Sequence, residues 1–372
     1  MSKQMGRPPK KLNDASSTLR TRIYSGVWKP GDLLPGEVEL SRDLNISRMT
    51  LRSALASIEK DGLITRIQGK GTFVKSSPKT VKPLNKTLAI LVYWSGEALN
   101  TDSYTNQLSM GMQAALQDSG FSGSTYSVPQ GEKLIDFIRK NERTAAGWGG
   151  VLLYSSLLDL ESLSWFERTG IPLVCITTPP SALKISYVDL DNPAGGEIAM
   201  RHLLGTGRRR PAILDSWQAG SFGALRMTGY RKALVEHGID LPARFFAELV
   251  NNIPRSSQKT AFNLILPLLS GRGGIDSVIV YGEHPTIGVY RAVEKKGLRV
   301  GRDISVVHYN DYPWLREILS PAPTAVRQPF ERVAYEAALL LQKKIRGRDS
   351  SSEHKIIKPE LIIRESTPKV RK

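Results

Sequence analysis

The sequence predicts an α/β protein in two parts: a small N-terminal unit of helices with a β-hairpin, and a large unit built on parallel β-sheets. Charge gives the first sign of this division, because residues 1–86 hold 17 Lys and Arg against 7 Asp and Glu, or +10 of the chain's net +17. Residues 75–86 are polar, with two prolines and four lysines, and are typical of an extended linker. From residue 87 onward, apolar strand-length runs alternate with amphipathic helix-length stretches.

A helix with a basic face is the central element of the small unit. Ser47 is a suitable N-cap, and Gly62 is a suitable C-terminal stop. Arg48 and Arg52 are four residues apart and share a face. Two arginines on one helix face are ordinarily just solvated surface residues. A DNA-binding role for Arg48 and Arg52 therefore depends on whether the neighbouring elements form a DNA-binding fold. The apolar stripe of the helix lies off that face and repeats at spacings of three and four, through Leu51, Ala54, Leu55 and Ile58.

The neighbouring residues complete a winged helix-turn-helix. Leu19 and Ile23 indicate a first helix, and residues 37–44 indicate a second. Residues 63–67 and 72–74 read as two strands around a Gln-Gly-Lys-Gly turn. In this arrangement the N-terminus of the third helix meets base edges in the major groove. The positive charge of the unit agrees with a polyanionic partner.

Residues 23–74 resemble the DNA-binding domain of GntR-family transcription regulators over its whole length. One position departs from the family, because Val38 follows Glu37 where an arginine is usual, and the operator is therefore expected to differ from the family's common sequences. The resemblance implies DNA contacts for eight residues: Lys11, Ser47, Arg48, Thr50, Arg52, Gln68, Gly69 and Lys70.

The large unit is predicted to form two α/β lobes. Strands that are apolar along their whole length are buried on both faces, as in parallel sheets. A stretch of about 280 residues suits two lobes better than one sheet. The predicted strands are 88–92, 151–154, 172–176, 212–214, 278–280 and 304–307, and the predicted helices lie near 105–117, 159–168, 225–236, 286–295 and 330–345.

Ligands of open parallel sheets bind beyond the carboxyl ends of the strands, so polar and aromatic residues that follow the strands are candidates. Residues 188–214, 226–239, 301–312, 323–338 and 358–367 resemble the effector-binding domain of LacI/GalR-type regulators, which is itself similar to periplasmic sugar-binding proteins. The resemblance implies an effector between the two lobes, with an arginine as polar anchor and an aromatic ring as stacking wall. The candidate effector-binding residues are Tyr104, Ser155, Trp217, Arg226, Glu283, Asn310 and Asp311.

Two positions differ from the family's sugar site. Gly282 and Glu283 stand where Asn-Asp is usual, and Asn310 with Asp311 stands where Asp-Asp is usual. Asparagine donates and accepts hydrogen bonds, whereas an aspartate only accepts them. We therefore expect common free sugars to bind poorly, and the effector to present a different donor pattern or an anionic group to Arg226.

The joined architecture resembles the arabinose repressor class. Its predicted domains are a DNA-binding domain with a basic leader (1–76), a linker (77–86) and an effector-binding and dimerisation domain (87–372). The expected partners are a double-stranded DNA operator, a small polar effector such as a sugar, and a second copy of the chain, since one winged helix offers few base contacts. Cys175 is the only cysteine, the start lacks an apolar core, and the longest apolar run is 88–94. These features predict a cytoplasmic location without a membrane span.

The predicted function is a ligand-responsive transcription regulator, a repressor, rather than an enzyme. The five histidines lack metal-ligand spacing, no catalytic constellation has motif support, and no cofactor is expected. One alternative is a regulator whose C-terminal domain has lost its ligand and only dimerises. A transport component would need a signal peptide and no DNA-binding domain. An enzyme fused to this DNA-binding domain would need a longer chain and a cofactor lysine.

Overall fold

A computed structural model describes most of the chain, which divides into two compact units. One unit comprises Met1–Asp189 with Glu331–Lys355, and the other comprises Leu190–Phe330 with Ile356–Lys372, so the backbone passes between them three times. No helix in the described part of the chain has the length and apolar character needed to span a membrane. The described residues are 15–16, 18–20, 22–23, 27–60, 62–75, 85–94, 104–180, 183–216, 222–249, 254–269, 273–347 and 351–369.

The N-terminal elements form the predicted winged helix-turn-helix. Its helices are α1 (helical residues 15–16, 18–20 and 22–23), α2 (Glu37–Asp43) and α3 (Arg48–Lys60). Strands β1 (Ile64–Ile67) and β2 (Gly71–Val74) pair antiparallel, and Leu33 adds a bridge to Phe73. The predicted stripe of α3 is confirmed, because its four apolar residues are all buried in one core with Leu19, Leu34, Leu40, Leu63, Ile64 and Val74.

A six-stranded sheet follows in the order β13-β7-β6-β5-β3-β4. The pairs among β3 to β7 are parallel, as predicted for the apolar strands β3, β5 and β6, whereas β4 and β7 were not predicted as strands. Its strands are β3 (Thr87–Trp94), β4 (Ser122–Pro129), β5 (Gly150–Tyr154), β6 (Leu173–Ile176), β7 (Ser186–Leu190) and β13 (His354–Ile357). The helices that accompany it are α4 (Tyr104–Leu116), α5 (Leu134–Lys140), α6 (Glu142–Ala145), α7 (Leu160–Thr169) and α13 (Phe330–Ile345), with a 3-10 turn at Ser155–Leu157.

A second six-stranded sheet has the order β14-β12-β11-β10-β8-β9. Its pairs are parallel except at one edge, where β14 runs antiparallel to β12, a departure from the all-parallel expectation. Its strands are β8 (Pro211–Asp215), β9 (Phe246–Glu248), β10 (Ser277–Tyr281), β11 (Ser305–Tyr309), β12 (Thr324–Arg327) and β14 (Glu360–Ile362). Its helices are α8 (Asn192–Gly205), α9 (Phe222–Glu236), α10 (Pro254–Ile265), α11 (Glu283–Lys295) and α12 (Pro313–Ile318), with 3-10 turns at Ala243–Phe245 and Leu266–Leu269.

In each sheet, a non-glycine residue just after the carboxyl end of one strand has a positive φ. Thr177 follows β6 with φ +90°, and Asn310 follows β11 with φ +82°, a conformation that few non-glycine residues adopt. Each amide donates to the next strand, Thr177 to the Val188 carbonyl at 2.9 Å and Asn310 to the Val326 carbonyl at 3.0 Å. Such backbone strain commonly marks functional positions, which directs attention to these strand ends.

Two glycines allow α9 to lie close against α8. A Cβ at Gly196 would come within 2.1 Å of the Arg226 carbonyl oxygen, and one at Gly229 would come within 1.9 Å of the Pro193 carbonyl oxygen. Any side chain at either position would therefore push the two helices apart. The backbone that carries Arg226 is fixed by this contact.

Candidate functional site

The N-terminal turn of α3 is capped and faces solvent. The Ser47 hydroxyl accepts a hydrogen bond from the Thr50 amide at 3.1 Å and lies 2.8 Å from the Thr50 hydroxyl. The predicted N-cap is thus confirmed. Because the cap fixes the first turn, Arg48 and Arg52 project from it on the exposed side, with about 60% of each side chain accessible.

Glu37, the first residue of α2, holds both of these arginines. Its Oε2 atom lies 2.8 Å from Arg52 Nε and 3.9 Å from Arg48 Nη2. Arg66 of β1 adds a hydrogen bond to the Arg52 carbonyl oxygen at 3.3 Å. Exposed ion pairs contribute only about 0–1 kcal/mol to stability, so the main consequence of this contact is orientation of the two side chains. The sequence did not reveal this role of Glu37. Arg48 and Arg52 lie 11 and 15 positions further along the chain, and only the fold brings them close to Glu37.

The hairpin tip presents the remaining predicted DNA-binding residues. Ile67 pairs with Gly71, which leaves Gln68, Gly69 and Lys70 in an exposed three-residue loop. Gly69 has φ +72°, a conformation that glycine adopts without cost. The Lys70 amide closes the loop by donating to the Ile67 carbonyl at 3.0 Å. Lys11, which was also predicted to contact DNA, lies outside the described residues.

A second cluster lies at the carboxyl edge of the second sheet. Three adjacent parallel strands, β8, β10 and β11, end in Asp215, Tyr281 and Tyr309. Arg226 of α9 joins all three: its Nε and Nη2 atoms donate to the two Asp215 carboxylate oxygens at 2.7 and 2.5 Å. Its guanidinium carbon lies 4.2 Å from the Tyr281 ring centre and 4.7 Å from that of Tyr309, within the range of cation–π contacts.

The Asp215–Arg226 ion pair is buried and its carboxylate is fully hydrogen-bonded. Only 1% of the Asp215 side chain and 3% of the Arg226 side chain are accessible. The Ser216 amide donates to Asp215 Oδ1 at 2.7 Å, and the Tyr230 hydroxyl donates to Oδ2 at 3.2 Å. Burial alone would lower the pKa of Arg226, but the hydrogen bonds and charge of Asp215 outweigh it and raise that pKa. Burial raises the pKa of Tyr230, so its phenol stays protonated.

Other predicted effector residues lie at the same sheet edge. Asn310 is buried, donates from Nδ2 to the Tyr312 hydroxyl at 3.2 Å, and its Oδ1 atom accepts no hydrogen bond from any described residue. Asp311 contacts Arg364 at 2.8 Å and Arg327 at 3.4 Å. Glu283 is the first residue of α11, directly after β10 and Gly282.

The structure does not describe the side chains of three predicted effector-binding residues. Tyr104 begins α4 and Ser155 begins the 3-10 turn after β5, but the side chains of both lie outside the described part of the structure. Trp217 is also outside the described residues. The structure thus brings Arg226 and Asn310 to neighbouring strand ends, whereas the stacking role assigned to Tyr104 stays a prediction.

Asp215, Tyr230, Tyr281 and Tyr309 were not identified from the sequence. Asp215 and the two strand-end tyrosines do carry a readable signal, since each closes an apolar run at the edge where ligands of open sheets bind. Their convergence on Arg226 depends on strand order, which the sequence did not give.

The described residues contain no group of three or more His, Cys, Asp or Glu side chains arranged to hold a metal ion. Burial raises the pKa of the Cys175 thiol to about 12, which keeps this side chain protonated and unreactive at neutral pH.

Comparison with known proteins agrees with this geometry. Residues 13–74 match the family described as bacterial regulatory proteins, gntR family, and residues 200–367 match the periplasmic binding protein-like domain. The chain is a transcription regulator that joins a GntR-type DNA-binding domain to a periplasmic-binding-protein-like domain, and its relatives are themselves transcription regulators.

The chain is similar along almost its whole length to the arabinose metabolism transcriptional repressor of Geobacillus stearothermophilus, with 26% identity over 94% of this chain and 95% of that protein. It is 28% identical to the HTH-type transcriptional regulator CelR of Thermobifida fusca over 75% of this chain and 81% of that protein. The solved transcriptional regulator CelR-cellobiose complex superposes with a TM-score of 0.68 at 24% identity, covering 97% of this chain and 100% of that chain. A LacI family regulator from Enterococcus faecium with bound ribose gives 0.63 at 20% identity over 77% of this chain and 100% of that chain.

His308, in β11 two residues before Asn310, is buried and neutral. Its Nδ1 atom lies 2.7 Å from the Thr286 hydroxyl oxygen at the start of α11. Burial, with a smaller effect from the charge of Arg364, lowers the pKa of His308 from 6.5 to about 3. Below about pH 6.5 the unfolded chain therefore binds a proton here that the folded chain does not bind until about pH 3.

This difference predicts a loss of stability in mild acid. Between pH 7 and pH 5 the wild-type protein should lose about 2 kcal/mol more of its free energy of unfolding than His308→Gln. The stability from this group is complete above pH 6.5 and falls as the pH drops toward 3. Urea unfolding of both proteins at the two pH values measures the difference. Equal losses would show that His308 does not titrate in this way.

Proposed function

We propose that this protein is a cytoplasmic repressor that binds a double-stranded DNA operator as a homodimer and whose operator affinity changes when a small polar effector binds. The observation that carries the DNA-binding part is the capped, exposed N-terminal turn of α3 beside the exposed hairpin tip. Both features belong to the part of the chain with the highest positive charge. The domain limits 1–76, 77–86 and 87–372 are part of the proposal.

In this proposal α3 enters the major groove and the hairpin lies along the phosphate backbone. Arg48 and Arg52 contact base edges, because guanidinium groups pair well with guanine. Ser47 and Thr50, at the helix N-terminus, contact phosphate or base edges. Lys11, Gln68, Gly69 and Lys70 add contacts that position the domain without specifying sequence.

Replacing these residues should separate sequence recognition from charge attraction. Arg48→Ala should cost about 1–3 kcal/mol at the base pair that it contacts and relax the preference there. Lys70→Ala should weaken binding to all sequences alike and reduce the salt slope by about one. An operator selected from a random duplex library, followed by titrations at several salt concentrations, measures both effects.

Lys60→Ala is the matched control for this experiment. It removes one positive charge from the exposed, opposite end of the same helix, so it should leave operator preference unchanged. If Arg48→Ala and Lys70→Ala both fold and bind like this control, α3 and the hairpin are not the DNA-contacting elements.

The effector part of the proposal is supported by the carboxyl edge of the second sheet and by relatives whose structures carry cellobiose or ribose. A sugar or a related polar metabolite suits an edge lined by tyrosine rings and amide and carboxylate groups. Asn310 is a suitable anchor because its buried Oδ1 can accept a hydrogen bond from a hydroxyl group. Placement of the effector between the two lobes, with Tyr104 stacking on it, stays a prediction.

Asn310→Gly should weaken effector binding by about tenfold or more, because it removes the hydrogen-bonding side chain. Glycine adopts the local φ of +82° without strain, so the backbone should be preserved. A thermal-shift screen of the full chain with arabinose, cellobiose, ribose and other polar metabolites would supply the ligand, and calorimetry would measure the affinity.

Asp118→Gly is the matched control, since Asp118 also has a positive φ, of 57°, but lies in an exposed turn away from the strand ends. Equal affinities of the two variants would remove Asn310 from the site. If no compound in a broad screen binds, the result favours the alternative reading, in which the C-terminal domain has lost its ligand and only dimerises. Sedimentation of the full chain then decides whether it dimerises.

A further inference from the structure

The Arg226 guanidinium already binds a carboxylate of the protein through two of its nitrogen atoms, so those donors are not available to an anionic ligand. A guanidinium fork pairs with one carboxylate through two parallel hydrogen bonds. In this protein the fork formed by Nε and Nη2 is taken by both oxygens of Asp215. Since the same carboxylate also accepts from the Ser216 amide and the Tyr230 hydroxyl, four donors hold it in place.

The charges around this pair also disfavour an anion. Arg226 is the positive group whose charge acts on both Tyr281 and Tyr309. Three carboxylates act on the same two rings: Asp215 on both, Glu283 on Tyr281 and Asp191 on Tyr309. Burial raises the pKa of both tyrosines, so their phenols carry no charge. An incoming carboxylate or phosphate would meet an excess of negative charge at low dielectric.

From these contacts we infer that Asp215 is the residue that makes the effector site selective for uncharged ligands, because it fills the guanidinium fork that an anionic ligand would need. The inference rests on the proposed function, in that it assigns a ligand class to the proposed effector site. It differs from the sequence-based expectation that the effector offers an anionic group to Arg226. Asp215 does not contact the ligand in this account; it determines which ligands Arg226 accepts.

Chemical rescue by formate tests this inference on the full chain. Asp215→Ala removes the carboxylate and leaves space for a formate ion beside Arg226. Formate should raise the Tm of Asp215→Ala by about 4 °C or more, relative to sodium chloride at the same ionic strength. It should not raise the Tm of the wild-type protein, where the fork is filled. The double variant Asp215→Ala/Arg226→Gln is the matched control and should show no response to formate.

Each outcome decides the question. Stabilisation of the wild-type protein by formate, abolished by Arg226→Gln, would overturn the inference, as would an Asp215→Ala protein that formate leaves unchanged. If Asp215→Ala does not fold in chloride, it should fold in formate, and a chain that folds in neither buffer also contradicts the inference. The experiment needs neither operator nor effector. Its failure is therefore distinct from failure of the proposed function, which the ligand screen and the operator titrations test.

Discussion

The buried ion pair of Asp215 and Arg226 is the interaction on which the carboxyl edge of the second sheet depends. An unpaired charge at this depth would be very costly, and breaking such a pair by removing one partner typically costs 3–5 kcal/mol. The protein meets this constraint with four donors on the carboxylate and two tyrosine rings beside the guanidinium. The pair thereby ties α9 to the ends of β8, β10 and β11. The glycine contacts between α8 and α9 hold the Arg226 backbone in the position that this arrangement requires.

The DNA-binding domain uses its arginines in the opposite way. Arg48 and Arg52 remain exposed, and their partner Glu37 is itself about one-third accessible, so solvent and salt screen the contact. A weak contact of this kind orients the side chains without competing strongly with DNA. In the same chain, the Arg226 guanidinium is buried and neutralised by Asp215, whereas those of Arg48 and Arg52 are exposed at the surface. This difference in burial agrees with the proposed roles, in which Arg226 is structural and selective while Arg48 and Arg52 bind a polyanion.

The sequence predicted most of the fold, because periodicity and capping report local structure. The stripe of α3, its Ser47 cap, the hairpin and strands β3, β5, β6, β8, β10 and β11 were predicted and are present, whereas β7, β9, β12 and β13 were not predicted. Strand β4 was missed because its sequence, Ser122–Pro129, is polar and lies at a sheet edge, where burial does not demand an apolar run. The antiparallel β14 was missed as well, since direction depends on how the chain returns to the sheet.

The candidate sites were less predictable than the fold. Positions such as Arg226 and Asn310 could be proposed from motif resemblance and from their place after strands. Their partners could not, because Asp215 and Glu37 meet their arginines only after strand order and helix packing are set. Charge pairing across elements is a property of the tertiary structure, and it decides whether an arginine is free to bind a ligand.

The central claim, that effector and DNA binding are coupled in one chain, is tested most directly by a thermodynamic cycle. Operator affinity is measured by fluorescence anisotropy with and without saturating effector, and effector affinity by calorimetry with and without operator. Linkage requires the two ratios to be equal, and coupling of about 1–3 kcal/mol would make each of them roughly 5- to 150-fold. We expect the two ratios to be equal and to differ from one. A ligand that binds the protein tightly and leaves operator affinity unchanged would contradict it.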